Sequence, residues 1–446
     1  MERIKPRTLS GFMELLPPRQ AQMRAVMGVL RQTYALYGFT PIDTPIIEAA
    51  EVLLAKGGGE TEKQIYRFQK GDTDLALRFD LTVPLAKYVA MNYGQLTFPF
   101  RRYQIGKVYR GERAQRGRFR EFYQADIDVI GDGSLDVSNE AEMPAIICDV
   151  FRRLGIERFR IRMNNRKVLN GLFEYLGIGE QSGAVMTAID KLDKIGAEAV
   201  CKILTDEIGV PADTAQQLMQ VIASDDPMGT LDSLQGKCAA LDEGIAELKT
   251  VTGLLPDLGV PDDKWEIDLT IARGLDYYTG TVYETMLLDY PEVGSVCSGG
   301  RYDNLAGYYT SKQLPGVGVS IGVTRLFYIL QEQGLLNDEL ATAPCDALVI
   351  PMGTDVTNYA ASAAAALRAA GIRTQLYSEQ KKVKAKFAYA DKLQIPFAVI
   401  IGSDEAAAGT VSLKDLSTGE QTTVTAQEAA AVISEKINCR VKPVKC

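Results

Sequence analysis

A chain of 446 residues, 46% hydrophobic and carrying 49 Lys and Arg against 57 Asp and Glu, can bury substantial cores and is expected to form two or three domains. No apolar run approaches the roughly 20 residues that span a bilayer. The start "MERIKPRTLSGF" also lacks the apolar segment of a secretory signal, so a soluble, cytoplasmic protein with no membrane partner is expected. Seven cysteines without a CxxC pair point to reduced thiols rather than structural zinc. Histidine is absent altogether, which removes imidazole as a metal ligand or general base, and no metal site is predicted.

Taken in chain order, residues 1 to about 165 hold strand-like runs, among them "FRRYQIGKVYR" (100–110) and "FREFYQADIDVIG" (119–131). From about 166 to 265 the pattern turns helical. Leu169, Leu172, Phe173 and Leu176 recur at three- and four-residue spacing, and "LDEGIAELKTVTGLL" repeats it, so this piece reads as an insertion. Strand signals return in 266–332 with "GTVYETMLLD" (280–289). After a linker near 335–345 the chain alternates "CDALVIPMG", "DVTNYAASAAAALRAAG", "IRTQLYS", "KKVKAKFAYADKLQ" and "PFAVIIG", which predicts the βαβαβ order of a small parallel sheet.

Charge is unevenly spread. Pro344 to Cys446 carry 12 Lys and Arg against 10 Asp and Glu, so the acidity lies in the first 343 residues. A polyanionic partner therefore has to be met by local patches. "KKVKAK" (381–386) is one such patch, or equally a solvated helix face. The other is "YRGERAQRGRFREFYQADIDVIG" (109–131): from Arg101 to Arg120 there are eight Lys or Arg and one acid, Glu112. Two strand-like segments flank "RGERAQRGR", predicting an antiparallel hairpin with a basic loop. Alternation along its second strand puts Gln124, Asp126 and Asp128 on one face. An Arg followed two residues on by a carboxylate, as in Arg110 and Glu112, can hold a phosphate and accept from an amino group at one site.

These residues resemble motif 2 of the class II aminoacyl-tRNA synthetases, in the form found in the histidyl-tRNA synthetases. "GFMELLPP" with "YGFTPIDTPIIE" (37–48) is similar to motif 1 and "GVGVSIGVTRLF" (316–327) to motif 3. "ARGLDYYTGTVYE" (272–284) and "CSGGRYDNLAGYY" (297–309) are similar to stretches peculiar to the histidyl enzymes. Five matches in order cover nearly the whole chain. Two positions depart from the pattern: Ala114 where the family often has Pro, and Thr324 before Arg325 where class II enzymes commonly place Glu.

The resemblance implies an α+β fold: an antiparallel six-stranded catalytic domain over 1–332, interrupted by a helical insertion domain at about 166–265, and a C-terminal α/β anticodon-binding domain over 344–446. It implies ATP and Mg2+, tRNA-His and histidine as partners, and a homodimer through motif 1. Catalytic roles fall to Arg110, Arg273 and Arg325. The nucleotide would meet Arg110 at the α-phosphate, Arg118 and Arg325 toward the γ-phosphate, and Glu112 and Phe122 at the adenine. Histidine would meet Asp80, Thr82 and Gln124 through its amino group, Arg110 and Arg273 near its carboxylate, and Asp128 and Tyr278 at the two ring nitrogens, with Tyr277 nearby.

A second reading stays open. A synthetase-like paralogue serves as the non-catalytic, histidine-sensing regulatory subunit of ATP phosphoribosyltransferase. That paralogue generally lacks the anticodon-binding domain and the phosphate-holding residues, whereas this chain carries Arg110, Arg273, Arg325 and a full C-terminal region. Without histidine in the chain, any titration between pH 5 and 8 has to come from the substrate ring or from a perturbed group such as a buried Asp128.

Overall fold

The computed structural model describes residues 3–55, 60–113, 117–272, 277–334, 336 and 343–440. The chain divides into two compact units, Met1–Glu14 with Val26–Leu336 and Leu15–Ala25 with Asn337–Cys446. Among the described residues no helix is long and apolar enough to cross a membrane.

Sixteen strands are present among the described residues. In the first unit they are β1 (Thr40–Pro41), β2 (Ile47–Ala49), β3 (Arg67–Lys70), β4 (Thr73–Leu77), β5 (Phe100–Tyr109), β6 (Glu121–Ile130), β7 (Phe159–Asn165), β8 (Trp265–Ile267), β9 (Thr281–Leu287), β10 (Cys297–Tyr302) and β11 (Gly316–Ile321). Eight of them form one sheet in the order β1-β5-β6-β11-β10-β9-β7-β8. The six central strands are antiparallel throughout, and a short parallel strand closes each edge. This is the six-stranded antiparallel sheet expected of a class II catalytic domain.

The sheet separates a core from a site by simple alternation. Odd positions, such as Ala125, Ile127 and Val129 on β6 and Val317, Val319 and Ile321 on β11, face the interior and are buried. The helix Ser138–Arg153 supplies Ile146, Ile147, Val150 and Phe151, and Phe151 meets Phe159 edge-on with ring centroids 4.9 Å apart. Each such side chain contributes about 1.5–3 kcal/mol by leaving water. Even positions carry the polar residues of the opposite face, among them Gln124, Asp126, Asp128, Ser298 and Ser320.

Between Asn165 and Trp265 the chain leaves the sheet for a run of helices. Leu169, Leu172 and Phe173 of the helix Arg166–Tyr175 are fully buried, as are Leu241, Ile245, Leu248 and Val251 of the helix Ala239–Leu254. The spacing in both segments thus gives the apolar stripe it predicted.

The second unit contains β12 (Ala347–Pro351), β13 (Thr374–Leu376), β14 (Phe397–Ile401), β15 (Val411–Asp415) and β16 (Gln421–Val424), ordered β13-β12-β14-β15-β16. The first three strands are parallel, with the helices Thr357–Ala369 and Val383–Lys392 in the crossovers. Ala360, Ala363, Ala364 and Leu367 bury one side of the Ala-rich helix. The expected βαβαβ parallel start is present, and two strands beyond it make the sheet mixed: β15 returns antiparallel to β14 after the short helix Ser403–Ala408, and β16 pairs antiparallel with β15 through the turn after Asp415.

Candidate active site

The β5–β6 hairpin forms as the sequence indicated, and its register builds the floor of the site. Arg102 lies opposite Asp128, Gln104 opposite Asp126, and Gly106 opposite Gln124. On the other side of β6, Asp128 faces Gly318 and Asp126 faces Ser320, and Gly318 in turn faces Gly300 of β10.

At the deep end, Asp128 is 3% exposed and held from two sides. Its Oδ1 accepts a hydrogen bond from the Tyr302 hydroxyl at 2.6 Å. Its Oδ2 lies 2.6 Å from Nη2 of Arg102, an ion-pair contact whose angle is not that of a hydrogen bond. Two glycines are required here. A Cβ at Gly318 would stand 2.3 Å from Asp128 Oδ1, and one at Gly300 would stand 2.9 Å from Cδ1 of Tyr278. Tyr278 packs edge-on against Tyr277 at 5.0 Å, and Tyr277 against Tyr302 at 5.8 Å. Burial, reinforced by Asp128, Asp126 and Asp80, pushes the Tyr278 phenol up, so its hydroxyl keeps its proton as a donor.

Asp80 lies two residues before the helix Thr82–Asn92. Its Oδ1 accepts from the Val83 amide at 3.1 Å, and Thr82 is hydrogen-bonded to Tyr277. Gln124 donates through Nε2 to Ser320 Oγ at 2.7 Å. Three buried acceptor oxygens, Asp80 Oδ2, Gln124 Oε1 and Asp126 Oδ1, have no hydrogen-bond partner among the described residues. Leaving a buried acceptor unmet costs about 1–3 kcal/mol. Acceptors left together in this way suit a ligand with several donors, such as an ammonium group.

The shallow end is cationic. A cleft of about 130 Å3 is lined by Arg110, Glu112, Arg118, Phe122, Gln124 and Arg325, among others. Arg110 donates through Nε to the Phe79 carbonyl at 3.0 Å, with its guanidinium 5.3 Å over the Phe122 ring. Arg325 donates through Nη1 to the Ser295 carbonyl at 2.7 Å, and Arg118 lies 3.7 Å from Glu112. Burial pushes the Arg325 guanidinium down, with Arg118 and Arg110 adding like-charge repulsion. Three guanidinium groups beside an aromatic face suit a phosphate-bearing planar ligand.

Of the residues singled out from the sequence, Arg110, Glu112, Arg118, Phe122, Gln124 and Arg325 thus line one cleft. Asp80, Thr82, Asp128, Tyr277 and Tyr278 belong to the buried cluster beside it. Arg273 lies outside the described residues, as does Ala114. Thr324 has a role of its own: its hydroxyl accepts from the Tyr123 amide at 2.8 Å, tying the motif 3 helix to β6.

The structure also adds residues. Arg102 and Tyr302 hold Asp128, and Ser320 holds Gln124, although none was singled out in the sequence. The basic run is only partly for a ligand: Arg101 pairs with Glu142 at 2.7 Å, Lys107 with Glu121 at 2.7 Å, and Arg102 with Asp128. Counting residues outward from the hairpin loop could have matched Arg102 to Asp128. Tyr302 lies within the stretch "CSGGRYDNLAGYY", but nothing there ties it to Asp128.

Burial raises Asp80 and Asp128 to about 7, opposed by the Val83 amide and Arg110 for the first and by Arg102 for the second. A carboxyl raised from an unfolded value of about 3.9 stabilises the fold fully below that value, and loses the contribution as pH rises through 7. The ligand-free protein is therefore expected to lose thermal stability from pH 5 to 8. Asp80→Asn should flatten part of that slope in a Tm series, and an unchanged slope would remove Asp80 as a source.

Comparison with known proteins agrees with this geometry. Residues 11–326 match the family model for histidyl-tRNA synthetase, and 346–436 match that for the anticodon binding domain. The chain is 52% identical to the histidine–tRNA ligase of Clostridium tetani over 434 residues, covering 96% of this chain and 98% of that one. The crystal structure of histidyl-tRNA synthetase from Nostoc sp. PCC 7120 is 42% identical with a TM-score of 0.87, covering 97% of this chain and all of that one. A Bacillus halodurans chain described as ATP phosphoribosyltransferase regulatory subunit/histidyl-tRNA synthetase has the same fold, with a TM-score of 0.73 over 90% of this chain and 99% of that one, at 20% identity. The family-model match over residues 11–326 and the 52% identity to the Clostridium tetani ligase over nearly the whole chain place the protein in the histidyl-tRNA synthetase family.

Proposed function

We propose that the acceptor cluster binds histidine and the cationic cleft binds ATP, so that the protein makes histidyl-adenylate and passes the histidyl group to the 3′ end of tRNA-His. The observation that carries this reading is the set of three unmet buried oxygens, Asp80 Oδ2, Gln124 Oε1 and Asp126 Oδ1, next to a cleft lined by Arg110, Arg118 and Arg325. The α-ammonium of histidine meets two of these acceptors, Asp80 and Gln124, with Thr82 as its third partner. Asp128 accepts from one ring nitrogen and the Tyr278 hydroxyl meets the other. A pocket that hydrogen-bonds a polar ring rejects apolar analogues strongly, since its own groups would stay unpaired.

The attacking carboxylate is already ionised, so activation needs placement and positive charge rather than a general base. Arg110, pinned through Nε to the Phe79 carbonyl, keeps its two terminal nitrogens for the α-phosphate. The family resemblance assigns Arg273 to the histidine carboxylate and the same phosphate, while Arg118 and Arg325 take the γ-phosphate, and Phe122 and Glu112 hold the adenine. Mg2+ travels with the ATP phosphates, whose oxygens supply most of its ligands.

Catalysis then resides in residues 1–332, with the insertion at about 166–265, and anticodon binding in 344–446. The protein acts in the cytoplasm as a homodimer through motif 1, a reading supported by the exposed Leu36, Ile46 and Ile47 in that region.

Histidine-dependent exchange of pyrophosphate into ATP tests the activity. Exchange is expected with histidine and not with phenylalanine. A folded protein that bound histidine without exchange would be read instead as a histidine sensor.

A further inference from the structure

We infer that Arg102 is a positioning residue that makes the ring pocket electroneutral, so that histidine is taken up with its imidazole uncharged. The inference builds on the assignment of Asp128 to the substrate ring. Arg102 is fully buried and has no contact with solvent. Its Nη2 lies 2.6 Å from Asp128 Oδ2 and donates to the Leu81 carbonyl at 3.4 Å, while Nε and Nη1 have no hydrogen-bond partner among the described residues, so Asp128 is its ion-pair partner, with Asp126 also in its field. The other Asp128 oxygen is taken by Tyr302 at 2.6 Å. The carboxyl group is thus fixed in one orientation, with a guanidinium beside it, before a ligand arrives.

The charged and titratable groups around Asp128 can be counted from each packed element. β5 supplies Arg102, β6 supplies Asp126, β10 supplies Tyr302, the segment before β9 supplies Tyr278, and the turn before the helix Thr82–Asn92 supplies Asp80. Arg110 and Arg78 act on Asp126, but Arg78 is paired with Asp43 at 3.6 Å and Arg110 lines the cleft. Arg102 is the guanidinium that faces Asp128, and the two form a neutral pair. Histidine whose ammonium and carboxylate cancel leaves that neutrality intact only if the ring is uncharged. An imidazolium would add a buried charge without a counter-ion, which a low-dielectric site disfavours. The hydrogen-bonding groups accommodate a neutral ring: Asp128 accepts from one ring N–H, and the Tyr278 hydroxyl, which can donate as well as accept, donates to the other nitrogen.

If this holds, removing the guanidinium leaves Asp128 uncompensated, and histidine then enters together with a proton. Calorimetry of L-histidine binding at pH 8, in buffers of different ionisation enthalpy, reads that proton. Near-zero uptake is expected for the natural protein, uptake approaching one proton for Arg102→Gln, and a return toward zero for Arg102→Lys. A purely structural role for Arg102 would weaken binding without changing the proton count, and that result overturns the inference. The 15N spectrum of ring-labelled histidine bound to the unaltered protein at pH 6 tests it without a variant. One protonated and one bare ring nitrogen are expected, although most free histidine is cationic there; two protonated nitrogens overturn it. Failure of the natural protein to bind histidine at all would instead overturn the pocket assignment, and this inference with it.

Discussion

Arg110→Ala is expected to lower the rate of histidine-dependent pyrophosphate exchange by about 10²–10³-fold, the cost of removing one preorganised group from a developing charge. The side chain is well placed for that role. Its Nε is committed to the Phe79 carbonyl at 3.0 Å and its plane lies over Phe122, so the terminal nitrogens point from a fixed base. Charge builds at the α-phosphate mainly in the transition state, so the loss should fall on kcat more than on KM for histidine. Arg110→Lys should recover only part of the rate, because an ammonium cannot reproduce the two-pronged contact. An exchange rate within a few-fold of the natural protein would show that Arg110 is not at the reacting phosphate.

The second large effect is expected at Asp128. Asp128→Asn keeps the shape and one acceptor but removes the charge facing the substrate ring, and should raise KM for histidine about 10–100-fold. That corresponds to a charge-assisted hydrogen bond of about 1.5–3 kcal/mol. The ring does not react, so kcat should change much less. The same change leaves Arg102 buried without its partner, and breaking a buried pair from one side costs about 3–5 kcal/mol, so Tm should also fall. Steady-state exchange kinetics beside thermal melts separate the two effects. A variant with unchanged KM and a low kcat would place Asp128 at the reacting centre instead of the ring.

The two sites differ in how far local pattern could reveal them. The cationic cleft takes Arg110, Glu112, Arg118 and Phe122 from one hairpin and Arg325 from far along the chain; Arg110 and Glu112 were legible from their spacing, and Arg118, Phe122 and Arg325 through the family resemblance. The deep pocket is assembled from parts far apart in the chain. Tyr302 meets Asp128 across 174 residues, and Gln124 meets Ser320 across 196. Reading the charges from Arg101 to Arg120 as one basic patch also overstated what is free for a ligand, since Arg101, Arg102 and Lys107 are spent on internal carboxylates.

By itself the sequence determined the elements and their faces: the β5–β6 alternation that puts Gln124, Asp126 and Asp128 together, the apolar stripes of the helical insertion, and the βαβαβ start of the C-terminal region. These follow from periods of 2 and 3.6 residues, which any short window displays. Only the tertiary structure decided the strand order, the antiparallel hairpin that ends the second sheet, and the partners of each buried charge. Register across a sheet depends on which distant strand lies alongside, and a slip of one residue turns every side chain to the other face. Whether Arg102 served a phosphate or a buried carboxylate was therefore a matter of pairing, settled when β5 lay against β6 with Arg102 opposite Asp128.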